Sequence, residues 1–135
     1  MKRVSVFIDG YNVYHAICEK PQYNRFKWLD YIKLAQTMLA PSSDILEQVY
    51  LFTAYAEHRP DSARRHKEYI QVLEDRGVIV VLGAFKRDDK RCRRCNATIH
   101  GHSEKESDVN LALHIFRGAH LDEYDKAIIV TADSD

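Results

Sequence analysis

Acidic residues follow two apolar segments at opposite ends of the chain. Residues 4–8 (VSVFI) lead directly to Asp9, and residues 127–130 (AIIV) are followed closely by Asp133 and Asp135. Continuous runs of this kind, rich in Val and Ile, are typical of strands that are buried on both faces of a parallel sheet. Because such sheets bind ligands at the carboxyl ends of their strands, we expect these three acids to lie at a binding site.

A fourth acid, Asp108, lies at the start of a predicted late helix and converges with the others if the first and last strands are neighbours. Two unit charges 4 Å apart repel by about 4 kcal/mol at an effective dielectric of 20. Such a group must therefore protonate in part or bind a hard cation. Carboxylate oxygens suit Mg²⁺ or Mn²⁺, and a pair of these ions can promote phosphodiester cleavage. Each acid alone also has a structural explanation, as a helix-dipole partner, a turn or a polar loop.

Apolar segments of strand and helix periodicity alternate along the chain. We predict strands over 4–8, 48–53, 78–82 and 127–130. We predict helices over 13–18 and 28–39, a third from 60 to a stop at Gly77, and a fourth with Ser107 as its N-cap. This alternation predicts one α/β domain over 1–135, a three-layer α/β/α sandwich with a mainly parallel sheet and Rossmann-like topology. No apolar run reaches membrane-spanning length and no secretory signal is visible, so the predicted location is the cytoplasm.

The charge pattern narrows the class of substrate. The chain has 20 basic and 20 acidic residues and no net charge, so it lacks the general attraction for polyanions of a strongly basic protein. Basic residues nevertheless cluster over 86–94 and 64–67, which favours a phosphate-bearing substrate; a solvated surface is the alternative. No G-x-G-x-x-G or G-K-[ST] motif follows a strand, which argues against dinucleotide and P-loop sites.

Three blocks of the sequence resemble the signature of NYN domains, specifically the LabA-like branch of the PIN-like nuclease superfamily. They are residues 7–13 (FIDGYNV), 104–110 (EKESDVN) and 124–135 (YDKAIIVTADSD). Their order and spacing agree with the family, and the match covers essentially the whole chain. The resemblance implies a PIN-like fold and a Mg²⁺- or Mn²⁺-dependent ribonuclease that acts on single-stranded RNA. Its metal-binding acids would be Asp9, Asp108, Asp133 and Asp135.

The resemblance also suggests residues that would contact the substrate. Asn12 would be an accessory polar group in the pocket, and Ser134 or Thr131 would supply a ligand-orienting hydroxyl. Among basic residues, the candidates for phosphate contacts are Lys105, Arg64 with its neighbour Arg65, Arg93 and Arg94; for the two arginines on the third helix, a solvated helix face is the alternative. Three tyrosines could stack on bases or belong to the core or rim instead: Tyr11, Tyr14 and Tyr23.

Family members continue past the third block with a further helix and strand. The sequence stops at Asp135, within its last motif, so we expect it to be a domain truncated at its C-terminal end. A non-catalytic RNA-binding or protein-docking module on the same fold remains the alternative to an enzyme, and a homodimer is possible.

A basic insertion is predicted over 84–105, and it contains a Cys-x-x-Cys motif. Cys92 and Cys95 have the spacing of zinc ligands, and His100 and His102 follow within seven residues. The remaining ligands would be these histidines, Cys18 or a group not visible in the sequence. A redox pair and two unpaired surface cysteines are the alternatives. Some NYN relatives carry such a motif here, so the resemblance favours a structural zinc knuckle that presents neighbouring arginines to a phosphate backbone.

Overall fold

The structure is a computed structural model that describes residues 1–132. The predicted site residues Asp133, Ser134 and Asp135 lie outside the described residues. In chain order, the elements are β1 (Lys2–Asp9), α1 (Gly10–Cys18), a 3-10 segment (Pro21–Trp28), α2 (Tyr31–Thr37), β2 (Asp44–Thr53), α3 (Pro60–Asp75), β3 (Val78–Leu82), β4 (Ala84–Arg87), β5 (Lys90–Arg91), β6 (Thr98–Ile99), β7 (His102–Lys105), α4 (Ser107–His120) and β8 (Lys126–Val130).

Within residues 1–132, the central sheet has four parallel strands in the order β3-β2-β1-β8. The first strand is therefore central and the last strand lies beside it, which confirms the predicted α/β fold and its strand order. On one face, Val4, Val6 and Ile8 of β1 pack with residues of α2 and α3 in the main core. On the other face, Phe7 stacks on Tyr50 with ring centroids 4.9 Å apart, and α4 contacts β1 and β2.

Several predicted helix boundaries were wrong. The first helix begins at Gly10, three residues before the predicted start, and capping explains the starts of two others. The helix predicted over 28–39 is shorter, since Asp30 caps α2 by accepting hydrogen bonds from the backbone of Ile32 and Lys33. Ser107 is not the N-cap of α4. Glu106 holds that position with a left-handed φ of 79°, and the hydroxyl of Ser107 donates to Glu104 instead.

The predicted insertion over 84–105 is not a simple loop. It contains two antiparallel strand pairs, β4 with β7 and β5 with β6. Gly83 allows the entry, because a Cβ atom there would lie 2.7 Å from the carbonyl oxygen of Lys105. The β4–β7 pair places Glu104 opposite Phe85. The β4–β7 pair therefore brings the chain back towards the central sheet just before α4 begins.

An ion-pair network joins the amino end of β1 to the turn that precedes β8. Arg3 donates to Asp125 at 2.9 Å and to Asp122 at 3.1 Å, and its backbone N–H also donates to Asp125. The two strands run in register from this point, with Val4 opposite Lys126. None of the helices within the described residues is long and apolar enough to cross a membrane.

Candidate active site

Asp9 occupies the junction between β1 and α1. It is the last residue of the strand and the N-cap of the helix, and it is only 5% exposed. Its Oδ1 accepts a hydrogen bond from the backbone N–H of Asn12 at 3.1 Å. Gly10 permits this tight junction, since a Cβ atom there would lie 2.9 Å from the carbonyl oxygen of Phe52. The fold thus holds a carboxylate at the carboxyl edge of the sheet.

Asn12 connects this carboxylate to the end of the neighbouring strand. Its Nδ2 donates to Oδ2 of Asp9 at 2.8 Å and to Oγ1 of Thr131 at 3.1 Å. Thr131 directly follows β8, so the two bonds join the carboxyl ends of β1 and β8. Three residues that the sequence analysis selected are therefore in one hydrogen-bonded group.

Glu104 is a further carboxylate at this edge, and the sequence analysis did not select it. It is half-buried, and its carboxylate accepts a hydrogen bond from the hydroxyl of Ser107. Burial raises the pKa of Glu104, and the nearby charges of Asp9 and Asp108 raise it further against the lowering effect of that hydrogen bond. Asp108 itself is exposed in the first turn of α4. We call Asp9, Glu104 and Asp108 the acidic centre, because the negative charges of the two aspartates both act on Glu104.

The donor chemistry of this acidic centre fits a hard divalent cation. Its donors are carboxylate oxygens that repel one another without a counter-charge, which is the environment that Mg²⁺ and Mn²⁺ favour. Within residues 1–132, however, no group of three or more His, Cys, Asp or Glu side chains is arranged closely enough to hold a metal ion. Asp133 and Asp135, the other two predicted metal ligands, lie outside the described residues.

A groove of about 400 Å³ begins beside the acidic centre at Gly10 and is walled by α1, the 3-10 segment, α3 and the β4–β7 pair; we call it the aromatic groove. Its lining includes the rings of Tyr11, Tyr14, Trp28, His58, Phe85 and His102. Its basic side chains belong to Lys27, Arg59 and Arg65. Rings beside cationic groups are the arrangement that binds unpaired nucleotides, with bases stacked on the rings and phosphates near the cations.

Ring contacts order the far side of the aromatic groove. His58 and His102 stack in parallel with centroids 3.9 Å apart, and Phe85 meets His58 edge-on with centroids 5.6 Å apart. Tyr11 meets Phe85 edge-on at 6.1 Å. Burial, the neighbouring His102 and the charge of Arg59 all lower the pKa of His58. This imidazole is consequently favoured in its neutral form, which suits stacking.

The predicted basic contacts are spread over the surface. Lys105 is exposed at the end of β7, next to the acidic centre in sequence. Arg64 lies on the exposed face of α3, 4.0 Å from Glu68, whereas the adjacent Arg65 lines the aromatic groove. Arg93 and Arg94 are exposed between β5 and β6. The structure therefore does not gather these side chains in one place.

The four predicted zinc ligands are also not gathered. Cys92 and Cys95 lie between β5 and β6, while Nδ1 of His100 lies 3.0 Å from Asp89 and 2.7 Å from the guanidinium of Arg87. His102 stacks on a ring of the aromatic groove. Each histidine thus has other partners.

Sequence reasoning missed Glu104 and most of the aromatic groove. Glu104 lies four residues before Asp108, within residues 104–110. This spacing was the one feature of the sequence that could have identified it. His58 and Phe85 have no local signature, because the groove exists only after β2, α3 and β4 pack together. They could be found only from tertiary structure.

The comparisons with known proteins identify a family. The family model of the NYN domain matches residues 3–135, which is essentially the whole chain. The 6-hydroxy-3-succinoylpyridine 3-monooxygenase HspA of Pseudomonas putida (strain DSM 28022 / S16) is 26% identical to the chain over 167 aligned residues. The alignment covers 98% of this chain and 53% of that protein, so the chain spans about half the length of this relative. No solved structure gave a significant match.

Proposed function

Because the chain belongs to the NYN domain family, within the PIN-like nuclease superfamily, we propose that it is a divalent-metal-dependent ribonuclease that hydrolyses phosphodiester bonds of single-stranded RNA. The observation that carries this proposal is the position of the acidic centre. Burial raises the pKa of Glu104, and the charges of Asp9 and Asp108 raise it further; the aromatic groove begins at the residue after Asp9. Placement within the LabA-like branch and a cytoplasmic location stay predictions.

In this proposal, the acids hold the cation and the groove holds the strand. Asp9 and Asp108, together with Asp133 and Asp135, would bind Mg²⁺ or Mn²⁺, and Glu104 would be a further oxygen donor. When bound, the ion lowers the pKa of water and stabilises charge on the leaving oxygen. Asn12 keeps the carboxylate of Asp9 oriented through its 2.8 Å hydrogen bond.

The aromatic groove would select unpaired strands. Bases stacked on its rings are accessible only in single-stranded RNA, because a duplex hides the faces of its bases. Arg59 and Arg65 line the same wall and would contact successive phosphates. Binding through these contacts should weaken as salt rises.

The decisive experiment measures cleavage of an end-labelled single-stranded RNA with Mn²⁺ or Mg²⁺. We expect cleavage by the wild-type protein that EDTA abolishes and that falls at least about 100-fold in Asp9→Asn and Asp108→Asn. Asp75→Asn is the matched control, since this acid lies at the far end of α3. Intact RNA with wild-type protein, or equal rates in all four proteins, would contradict the proposal.

A non-catalytic RNA-binding module is the second candidate. The observation in its favour is that residues 1–132 contain no complete cluster for a metal ion. RNA binding that is insensitive to EDTA and to Asp108→Asn, with no cleavage product, would support this candidate over the enzyme.

The name of the Pseudomonas relative refers to oxygenation of a pyridine compound. That name applies to the relative itself. The matched region is about half of that protein. Phosphodiester hydrolysis accounts for both the acidic centre and the basic side chains of the groove, so we propose hydrolysis for this chain.

A further inference from the structure

The segment between β5 and β6 is folded as a tight turn that contains Cys92 and Cys95. The backbone N–H of Cys92 donates to the carbonyl of Ala97 at 2.9 Å, and the N–H of Asn96 donates to the carbonyl of Cys92 at 2.9 Å. Asn96 adopts a left-handed φ of 56°. These contacts close a full turn that returns Cys95 to the side of Cys92.

Cys92 and Cys95 both lie in this turn, where Cys92 is half-buried and Cys95 is exposed. Their spacing is that of zinc ligands. The turn can therefore supply one half of a site made of four thiolates.

The chain itself does not complete this site within the described residues. A structural zinc ion takes four ligands in a tetrahedron, and residues 1–132 contain no group of three or more metal-binding side chains. His100 is held by Asp89 and Arg87, and His102 is stacked on His58. A zinc ion bound at this turn would therefore need two further ligands from outside residues 1–132 of the same chain.

We propose that Cys92 and Cys95 bind Zn²⁺ together with the same two cysteines of a second copy of the chain, so that one ion joins two hairpins. Two identical Cys-x-x-Cys turns related by a two-fold axis supply four thiolates and form a closed, symmetric interface. Cys95 is exposed, so a second copy can reach it.

The charges at the hairpin are complementary to such a centre. Four thiolates and one Zn²⁺ carry a net charge of −2, because each thiol releases its proton to solvent on binding. The turn is flanked by four cationic side chains, which are those of Lys90, Arg91, Arg93 and Arg94. Without the anionic centre, two such hairpins would repel each other.

Zinc titration of the reduced protein, followed by native mass spectrometry and light scattering, tests the proposal. We expect a monomer without metal and a dimer with one zinc ion per two chains. Cobalt substitution should give the absorption of a four-thiolate site. Cys92→Ser and Cys95→Ser should lose both zinc binding and dimerisation, whereas Cys18→Ser, in α1, should keep both.

A double variant, His100→Ala with His102→Ala, distinguishes this site from one within a single chain. It should still bind one zinc ion per dimer. One ion per monomer, a cobalt spectrum with nitrogen ligands, failure to bind zinc, or a dimer that persists in the cysteine variants would each overturn the proposal. These readouts are independent of RNA cleavage, so they remain valid if the proposed nuclease activity fails.

Discussion

Asn12 holds both carboxylate oxygens of Asp9. Its side-chain Nδ2 donates to Oδ2 at 2.8 Å, and its backbone N–H donates to Oδ1 at 3.1 Å. The same Nδ2 reaches Thr131 at the end of the adjacent strand. The carboxylate is therefore fixed before any substrate arrives.

We predict that Asn12→Ala lowers kcat about 10- to 100-fold, the usual effect of removing a group that orients a metal ligand. KM should change little, because Asn12 is not among the residues that line the aromatic groove. Steady-state cleavage of a short RNA checks this, with Asn24→Ala on the exposed 3-10 segment as the control. An unchanged kcat would show that the hydrogen bond has no role in positioning.

Glu104→Gln should stabilise the fold at pH 7 and at the same time abolish RNA cleavage. Burial raises the pKa of Glu104 above its unfolded value, so the unfolded chain releases this proton first as the pH rises. Folding stability therefore falls as the pH rises above the unfolded pKa of about 4.3. Glutamine keeps an acceptor for Ser107 and carries no charge. The variant should be more stable than wild type at pH 7, equally stable near pH 3, and inactive.

Urea unfolding in EDTA at both pH values measures this difference, and RNA cleavage measures the activity. Asp75→Asn, at the end of α3, is the control for loss of one negative charge. If wild type and Glu104→Gln show the same stability at both pH values, then Glu104 does not contribute the predicted repulsion.

The sequence was sufficient for the parts of the fold that depend on local pattern. The run over 78–82 predicted β3 with its observed bounds, and the position of Asp9 after an apolar strand was enough to predict its place at the edge of the sheet. Arg64 shows the limit of this reasoning. Successive helix residues differ by about 100° around the axis. Deciding whether Arg64 or Arg65 lines the groove therefore required the exact rotation of α3 about its axis.

The insertion could not be predicted because its structure depends on pairing between distant residues. Phe85 pairs with Glu104 across 18 intervening residues. The sequence around each of these two residues shows no clear hydrophobic periodicity. The hydrogen bond from Ser107 to Glu104 likewise exists only because β7 ends beside α4. The acidic centre was thus predicted in part, and the aromatic groove hardly at all.

Two aromatic side chains of the groove should bind bases. We predict that Tyr11→Leu and Phe85→Leu, which keep apolar volume and remove the ring, each weaken single-stranded RNA binding by about 1–3 kcal/mol, roughly 5- to 150-fold. Fluorescence anisotropy in EDTA measures binding without cleavage. Phe26→Leu is the matched control, since this exposed ring contacts Tyr23 outside the groove. Equal affinities in the three variants would contradict a stacking role.

Gly10 should tolerate no side chain. A Cβ atom there would lie 2.9 Å from the carbonyl oxygen of Phe52 and 3.0 Å from Cδ1 of Leu51. We predict that Gly10→Ala destabilises the fold by about 1–3 kcal/mol, the usual cost of overpacking, and lowers activity by displacing Asp9. Chemical denaturation measures the first effect. Ala16→Ser adds one atom on the exposed side of the same helix and should change neither property.

Arg3 should stabilise the pairing of β1 with β8 in a pH-dependent way. Its hydrogen bonds lower the pKa of Asp125 to about 2, below an unfolded value of about 3.9. A depressed acid pKa gives stability that is present above the unfolded pKa and is lost as the pH falls towards the folded one. Arg3→Met should therefore lower the melting temperature by a few degrees at pH 7.

The melting-temperature difference between wild type and Arg3→Met should shrink as the pH falls from 4 to 2. Protonation of Asp125 then removes the ion pair from the wild type, and the variant already lacks it. Lys2→Met, at the exposed neighbouring position, controls for loss of one positive charge near the N-terminus. A difference that stays constant over this pH range would show that Arg3 acts through packing of its side chain. It would not support the ion pair as the source of stability. The register of β8 also sets the position of Thr131, so the variant should reduce RNA cleavage at pH 7 by more than Lys2→Met does.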